Sequence, residues 1–105
     1  MKNNKALKIP CHAVRKNKSS HKPGFWWKYG GCVLIEDDTV IIDGYDLHRF
    51  VFDRSRVSYY RDTKEELLLL RIIRIFDDEK DFSVQLSGSD YNRFMKAMQQ
   101  VQSEG

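Results

Sequence analysis

Five side chains of the kinds that ligate metals or act as nucleophiles stand in the first half of the chain: Cys11, His12, His21, Cys32 and His48. Zinc sites draw ligands in close pairs, because one short turn sets two of them on the same ion. The only close pair here is Cys11–His12, and adjacent side chains diverge in an extended strand. A zinc site is therefore not expected. Asp77, Glu79 and Asp81 alternate like the acidic residues of a calcium loop. That loop needs glycine at its sixth position and a bidentate glutamate at its twelfth, and those places hold Phe82 and Gly88. A cysteine nucleophile would need a histidine beside it. Cys11 has basic neighbours of the sort that lower a thiol pKa, an environment that many inert thiols share. No nucleophile elbow, phosphate-binding glycine loop or His-Glu metalloprotease motif is present. Neither catalysis nor a cofactor or metal is expected.

Binding chemistry is better represented. Residues 1–28 contain no acidic side chain but hold Lys2, Lys5, Lys8, Arg15, Lys16, Lys18, Lys22 and Lys28, a charge of +8. The whole chain carries +3, so residues 29–105 carry −5. Such asymmetry points to an anionic partner for the basic half. Phe25, Trp26, Trp27 and Tyr29 follow, bracketed by Gly24 and by Gly30 and Gly31. Trp26 and Trp27 point to opposite faces if the segment is a strand. One of them can anchor a core; the other calls for a second packing layer, the C-terminal helix or a partner. Cations with interleaved aromatics also mark single-strand nucleic-acid binders, and Trp, Tyr and Arg are enriched at protein interfaces. Arg54, Arg56, Arg61, Arg71 and Arg74 form a second basic set, with Arg54 and Arg56 on one face of a regular strand and Arg61 on the other.

The elements that would carry these residues are short strands and one helix. Leu7, Ile9, Cys11 and Ala13 alternate with other residues in what reads as one edge strand, since Pro10 cannot donate to a central ladder. Residues 15–24 are polar and breaker-rich, an exposed loop. Residues 33–36 and 39–43 flank Asp37-Asp38 as a hairpin, and Asp43-Gly44 is the strongest turn dipeptide of the chain. Residues 48–53 alternate with His48, Phe50 and Phe52 on one face, and residues 56–61 continue the meander. Residues 63–76 fit two patterns. Thr63 to Glu66 forms a capping box ahead of a helical face of Leu68, Leu69, Ile72, Ile73 and Phe76. Read as a strand instead, the run pairs across the polar turn 77–81 with the alternating residues 82–87. Strand is the reading adopted. A regular strand sends Arg71 and Arg74 to opposite faces, unless a bulge intervenes. The clearest helix is C-terminal, with Ser89 or Asp90 as cap and Tyr91, Phe94, Met95, Met98 and Val101 as one apolar stripe.

The expected fold is α+β: an antiparallel, strongly bent sheet or roll of about six or seven strands with one C-terminal amphipathic helix. Residues 1–23 form a basic N-terminal arm with at most one edge strand, and residues 24–105 a single domain. The order of elements resembles the pleckstrin-homology-like roll, an analogy of order carried by no motif. No apolar run exceeds four residues, so no membrane span is expected. With no apolar stretch behind the basic N-terminus, a cytoplasmic location with both cysteines reduced is expected. The expected function is a small non-catalytic binding module for an anionic partner. An acidic protein surface is favoured, and nucleic acid is the alternative. The residues assigned to the partner are Arg15, Lys16, Lys18, Lys22, Trp26, Trp27 and Lys28, the cations steering and the tryptophans stacking or anchoring. An unpaired edge strand over residues 7–14 also leaves a homodimer open.

Overall fold

A computed structural model of the chain describes residues 6–17, 27–45, 48–66 and 69–100. Alternating apolar residues make its strands: β1 (Leu7–Pro10), β2 (Ala13–Lys16), β3 (Lys28–Tyr29), β4 (Cys32–Ile35), β5 (Thr39–Tyr45), β6 (His48–Asp53), β7 (Ser58–Arg61), β8 (Arg71–Phe76) and β9 (Asp81–Leu86). A single 3-10 turn, Thr63–Glu65, precedes β8, and helix α1 (Gly88–Gln99) follows β9. The strands form two antiparallel sheets, the first in the order β1-β4-β5-β6 and the second β3-β2-β9-β8-β7. The fold is thus α+β with two bent antiparallel sheets and one C-terminal helix among the described residues. Among the described residues no helix is long and apolar enough to cross a membrane.

Two bent runs join the sheets. The first passes from β1 to β2 through Cys11 and His12, and the second from β3 to β4 through Gly30 and Gly31. At this corner the Cys11 N–H donates to the Gly31 carbonyl and the Gly30 N–H to the His12 carbonyl, both at 2.9 Å. The nine strands are seven when each bent run is counted once. The corner needs its glycines. Gly31 has φ +100°, and a Cβ there would lie 2.7 Å from the Asp43 carbonyl oxygen. Gly44 has φ +113°, and its Cβ would lie 2.7 Å from the Gly31 Cα. Gly44 therefore makes a bulge inside β5, where the β5–β6 register shifts between Asp43 and Tyr45, and not the turn that Asp43-Gly44 predicts.

The N-terminal segment also differs from expectation. Residues 7–16 supply an edge strand to the first sheet and, in β2, an inner strand to the second. One edge strand over 7–14 is thus two strands in different sheets. The hairpin at Asp37-Asp38 forms, closed by the Glu36 N–H donating to the Thr39 carbonyl at 2.9 Å. Residues 63–66 begin with the 3-10 turn, capped by Asp62, whose side chain accepts from the Lys64 N–H. The strand starts only at Arg71. The β8–β9 ladder is regular, so Arg71 and Arg74 face opposite sides without a bulge.

The sheets pack through Ile9, Val33, Ile35, Val40, Ile42 and Phe52 on one side and Val14, Ile73, Ile75, Phe82, Val84 and Leu86 on the other. Each such side chain contributes about 1.5–3 kcal/mol when fully buried. Helix α1 covers the open end with Phe94, edge-on to Tyr59 at 5.6 Å. Its N-cap is Ser87, whose Oγ accepts from the Asp90 N–H at 3.1 Å, earlier than Ser89 or Asp90. At its other end Arg54 donates to the Ala97 carbonyl at 2.6 Å and to the Glu36 carbonyl at 2.8 Å. Val101 lies outside the described residues.

Candidate functional site

The outer face of the second sheet is unusual, because side chains that alternation sends away from the core are nonetheless buried. Ala13, Arg15, Ile72 and Ser83 all lie there, and none is more than 9% exposed. Over Arg15 lies a second layer, with Trp27 stacked on its guanidinium and Glu65, from the segment that leads into β8, bound to it. Half of this layer is polar. Arg15 donates to both carboxylate oxygens of Glu65, at 2.9 and 3.0 Å, to Asn17 Oδ1 at 2.8 Å and to Ser83 Oγ at 3.5 Å. Its guanidinium lies 4.6 Å from the Trp27 ring centroid, a cation–π stack. Asn17 Nδ2 in turn donates to Asp81 and Ser83, and Arg74 donates to Asp81 and to the Tyr60 hydroxyl. Burial pushes the Asp81 carboxyl up, but the bonds from Arg74 and Asn17 outweigh it and hold it below the usual carboxylate range.

The other half of the layer is apolar and open. Trp27, Leu69, Leu70 and Ile72 wall a cleft of about 720 Å³ whose polar margin is His12, Glu65 and Gln85. Leu69 is 84% exposed, and Tyr29, which meets the His12 ring edge-on at 5.6 Å, is 80% exposed. The cleft lies within the size range of ligand pockets, roughly 300–1,000 Å³. Glu65 does not charge it, because both carboxylate oxygens are turned onto Arg15. Glu66 is likewise held by Arg61 through two bonds of 2.8 Å, which keep its carboxyl below the usual range against the opposing effect of burial. Both glutamates of this segment are thus neutralised in place.

The residues assigned to the partner from sequence meet different fates. Arg15 is 9% exposed and fully engaged, so its contribution is to hold Trp27 and Glu65 rather than to present charge. Lys16 is exposed on the opposite side of β2, with its Nζ 5.7 Å from the Phe50 ring. Trp27 is half-buried in the cleft wall, and Lys28 is exposed on β3. Lys18, Lys22 and Trp26 lie outside the described residues. The second basic set is largely committed to the fold: Arg54 to the end of α1, Arg61 to Glu66 and Arg74 to Asp81. Residues 54–56 form a turn, with the Arg56 N–H donating to the Asp53 carbonyl at 2.9 Å, so Arg54 and Arg56 do not share a strand face. Sequence reasoning missed Leu69, Leu70 and Ile72 as cleft walls. The four-leucine run 67–70 was the available signal, since a strand or helix has no way to bury all of it on one side.

Both cysteines are buried. Burial, with smaller contributions from Cys32 and Asp90, pushes the Cys11 thiol up to about 12. It is therefore protonated at neutral pH. Among the described residues no group of three His, Cys, Asp or Glu side chains is placed to hold a metal ion. Comparison of the chain with protein-family models, with curated proteins and with solved structures finds no match.

Proposed function

We propose that this protein is a small non-catalytic binding module that engages an acidic protein surface. Trp27 and the cleft beside it anchor the partner, and the cations of the acid-free N-terminal segment steer it. The observation that carries this reading is the meeting, at Trp27, of an open apolar cleft with the end of a 28-residue stretch that lacks any acidic side chain. Charge placement supports it. Asp77, Asp78 and Glu79 form the turn at the far end of β8 and β9. That turn is separated from Gln85 by roughly 13 Å of strand rise, more than the Debye length of about 8 Å at physiological salt. An acidic partner at the cleft is thereby largely screened from them. Lys16, Lys18, Lys22 and Lys28 are the steering residues, and Trp26 joins Trp27 as a contact residue. Arg15 orients the site from beneath.

The test is binding of the purified protein to a glutamate-rich peptide and to single- and double-stranded oligonucleotides, at low and moderate salt, followed by tryptophan fluorescence. The expected result is a tryptophan signal with the peptide that survives moderate salt in part. Oligonucleotide binding that is tighter and falls steeply with salt, as counterion release requires, would replace the protein partner by nucleic acid. No binding to either rejects the basic segment as a binding surface.

A further inference from the structure

We infer that β6 is a self-association edge: two copies of this chain pair their β6 strands antiparallel about a two-fold axis at Val51, joining their first sheets into one. The occupant is a second copy because the edge complements itself in hydrogen bonds, charge and apolar surface. The Arg54 N–H donates to the Asp38 carbonyl at 2.9 Å, and the β5–β6 register runs on from that pair through Thr39–Asp53 to Asp43–Arg49. Antiparallel ladders alternate, so Phe50 and Phe52 turn their backbone groups toward β5, while Arg49, Val51 and Asp53 turn theirs outward. Among the described residues β5 is the only strand paired with β6. The other outer strands offer less. In β1, Pro10 has no N–H and the Lys8 carbonyl accepts from Arg93 of α1 at 3.3 Å. β3 has two residues and β7 four, against six in β6, which holds none of the lysine or proline that blunts an edge.

Residues 49–53 are symmetric about Val51. In the register that sets Val51 against Val51 of a second copy, outward backbone groups meet outward groups, and the ladder ends at the Asp53 carbonyl, which the following turn already uses. The same register sets Arg49 opposite Asp53 of the second copy, twice over. Arg49 is 56% exposed and reaches Asp43 only at 3.6 Å, while Asp53 engages Ser55 through Oδ1, so both keep capacity for a cross-strand ion pair. Val51, Asp53 and Arg56 also face residues 77–80 across an open cleft of about 270 Å³. An arginine brought to Asp53 therefore approaches the exposed Asp78 and Glu79 as well. The apolar surface matches too. Leu34, Ile41 and Val51 are cross-strand neighbours in one row on the outer face of the first sheet. Ile41 is buried within that row, whereas Val51 is 50% exposed where the row stops at the edge. Pairing at Val51 continues the row into the second copy. The edge belongs to the first sheet and the cleft at Trp27 to the second, so self-association leaves the cleft open.

The experiment is sedimentation equilibrium of the full chain over a concentration series, with Val51→Lys, Arg49→Glu and Asp53→Lys as variants. The parent chain is expected to pass from monomer to dimer mass as concentration rises, since a ladder this short lies below the standard interface size. Val51→Lys sets two ammonium groups against each other at the axis. Arg49→Glu and Asp53→Lys each set like charges opposite one another, twice. Each variant is expected to weaken the dimer about tenfold or more. In an equimolar mixture of Arg49→Glu and Asp53→Lys every mismatch becomes an opposite-charge pair, and the dimer is expected to return. Circular dichroism shows which variants keep the fold. Val51→Lys and Arg49→Glu alter exposed positions outside the turn, so the test stands without Asp53→Lys. A monomer mass throughout, up to about 1 mM, overturns the inference. So does a dimer of unaltered affinity in folded Val51→Lys or Arg49→Glu, which would put the contact elsewhere. A mixture of folded charge variants that associates no better than its components overturns the register.

Discussion

Replacing Glu65 by alanine tests whether the second layer is built as described. The change removes two charge-assisted hydrogen bonds, of 2.9 and 3.0 Å, from a guanidinium whose side chain is 11% exposed. Stripping one partner from a fully buried ion pair costs about 3–5 kcal/mol, and losing an exposed pair costs about 0.2–1 kcal/mol. This pair lies between those cases, because Glu65 itself is 42% exposed at the cleft margin and water can replace it there. Arg15 also keeps its bonds to Asn17 and Ser83. A loss of about 2 kcal/mol follows, or roughly 10 °C in Tm for a domain of this size. The assay is urea unfolding followed by tryptophan fluorescence, with Trp27 reporting directly because it lies 4.6 Å from the Arg15 guanidinium. Adding Arg15→Met to Glu65→Ala should recover part of the loss, since no unpaired charge then remains under Trp27. A Glu65→Ala cost below about 0.5 kcal/mol, or a double variant less stable than Glu65→Ala alone, would refute the account of Arg15 as a buried, paired support.

Gly44→Ala should cost about 2–4 kcal/mol, because φ is +113° and the new methyl would meet the Gly31 Cα at 2.7 Å; an unchanged urea midpoint would remove the glycine contact from the argument. At about pH 8 Cys11 should resist alkylation in the native protein and react fully in denaturant, since burial both shields its thiol and pushes it up to about 12; rapid native labelling followed by mass spectrometry would show the site to be open. Stability should fall in acid. The Asp77 and Asp81 carboxyls are both held below their usual range, because their hydrogen bonds outweigh the opposing effect of burial, so their stabilising contribution is present above the unfolded carboxylate pKa of about 3.9 and is lost as pH falls through the lower folded values. Asp81→Asn should flatten that dependence in urea midpoints taken at successive pH values, and an unaltered slope would count against it.

Strand β9 and helix α1 were readable because each is a single uninterrupted period: strict alternation in residues 82–86, and Tyr91, Phe94, Met95 and Met98 at helical spacing; residues 63–76 fitted helix and strand alike, and only the turn after them favoured the strand that β8 forms. The corner was not readable. In residue type, the alternation of Leu7, Ile9 and Cys11 runs on into Ala13, but the chain bends at His12, so the next core residue is Val14 and Ala13 lands on the outer face of the other sheet. A bend shifts parity without leaving any mark in residue type. Gly44 kept its meaning as a position of positive φ, but not its element, since a turn and a bulge ask the same of glycine. For the site, the two adjacent tryptophans called for a second packing layer, the C-terminal helix or a partner; Trp27 lies in a second layer over Arg15, and Trp26 lies outside the described residues. Arg15 read as one more steering cation of the basic arm, because its partner Glu65 is fifty residues away and only the folded chain brings the two together.

Residues 7–16 pair with β4 in one sheet and with β9 in the other. Neither sheet can therefore melt while the other keeps its full set of partners. One cooperative unfolding transition is the expected consequence, with the cleft joined to it through Arg15 and Trp27. Anything seated there is thermodynamically linked to the stability of the whole fold. A ligand at a hundredfold excess over its Kd adds about 2.7 kcal/mol to the unfolding free energy, on the order of 10 °C or more in Tm for a domain of this size. Thermal shift is therefore a search tool that works before any partner has been identified. Fractions or peptide pools can be ranked by the melting of the entire protein, and those that act through the cleft will lose their effect in Leu69→Ser.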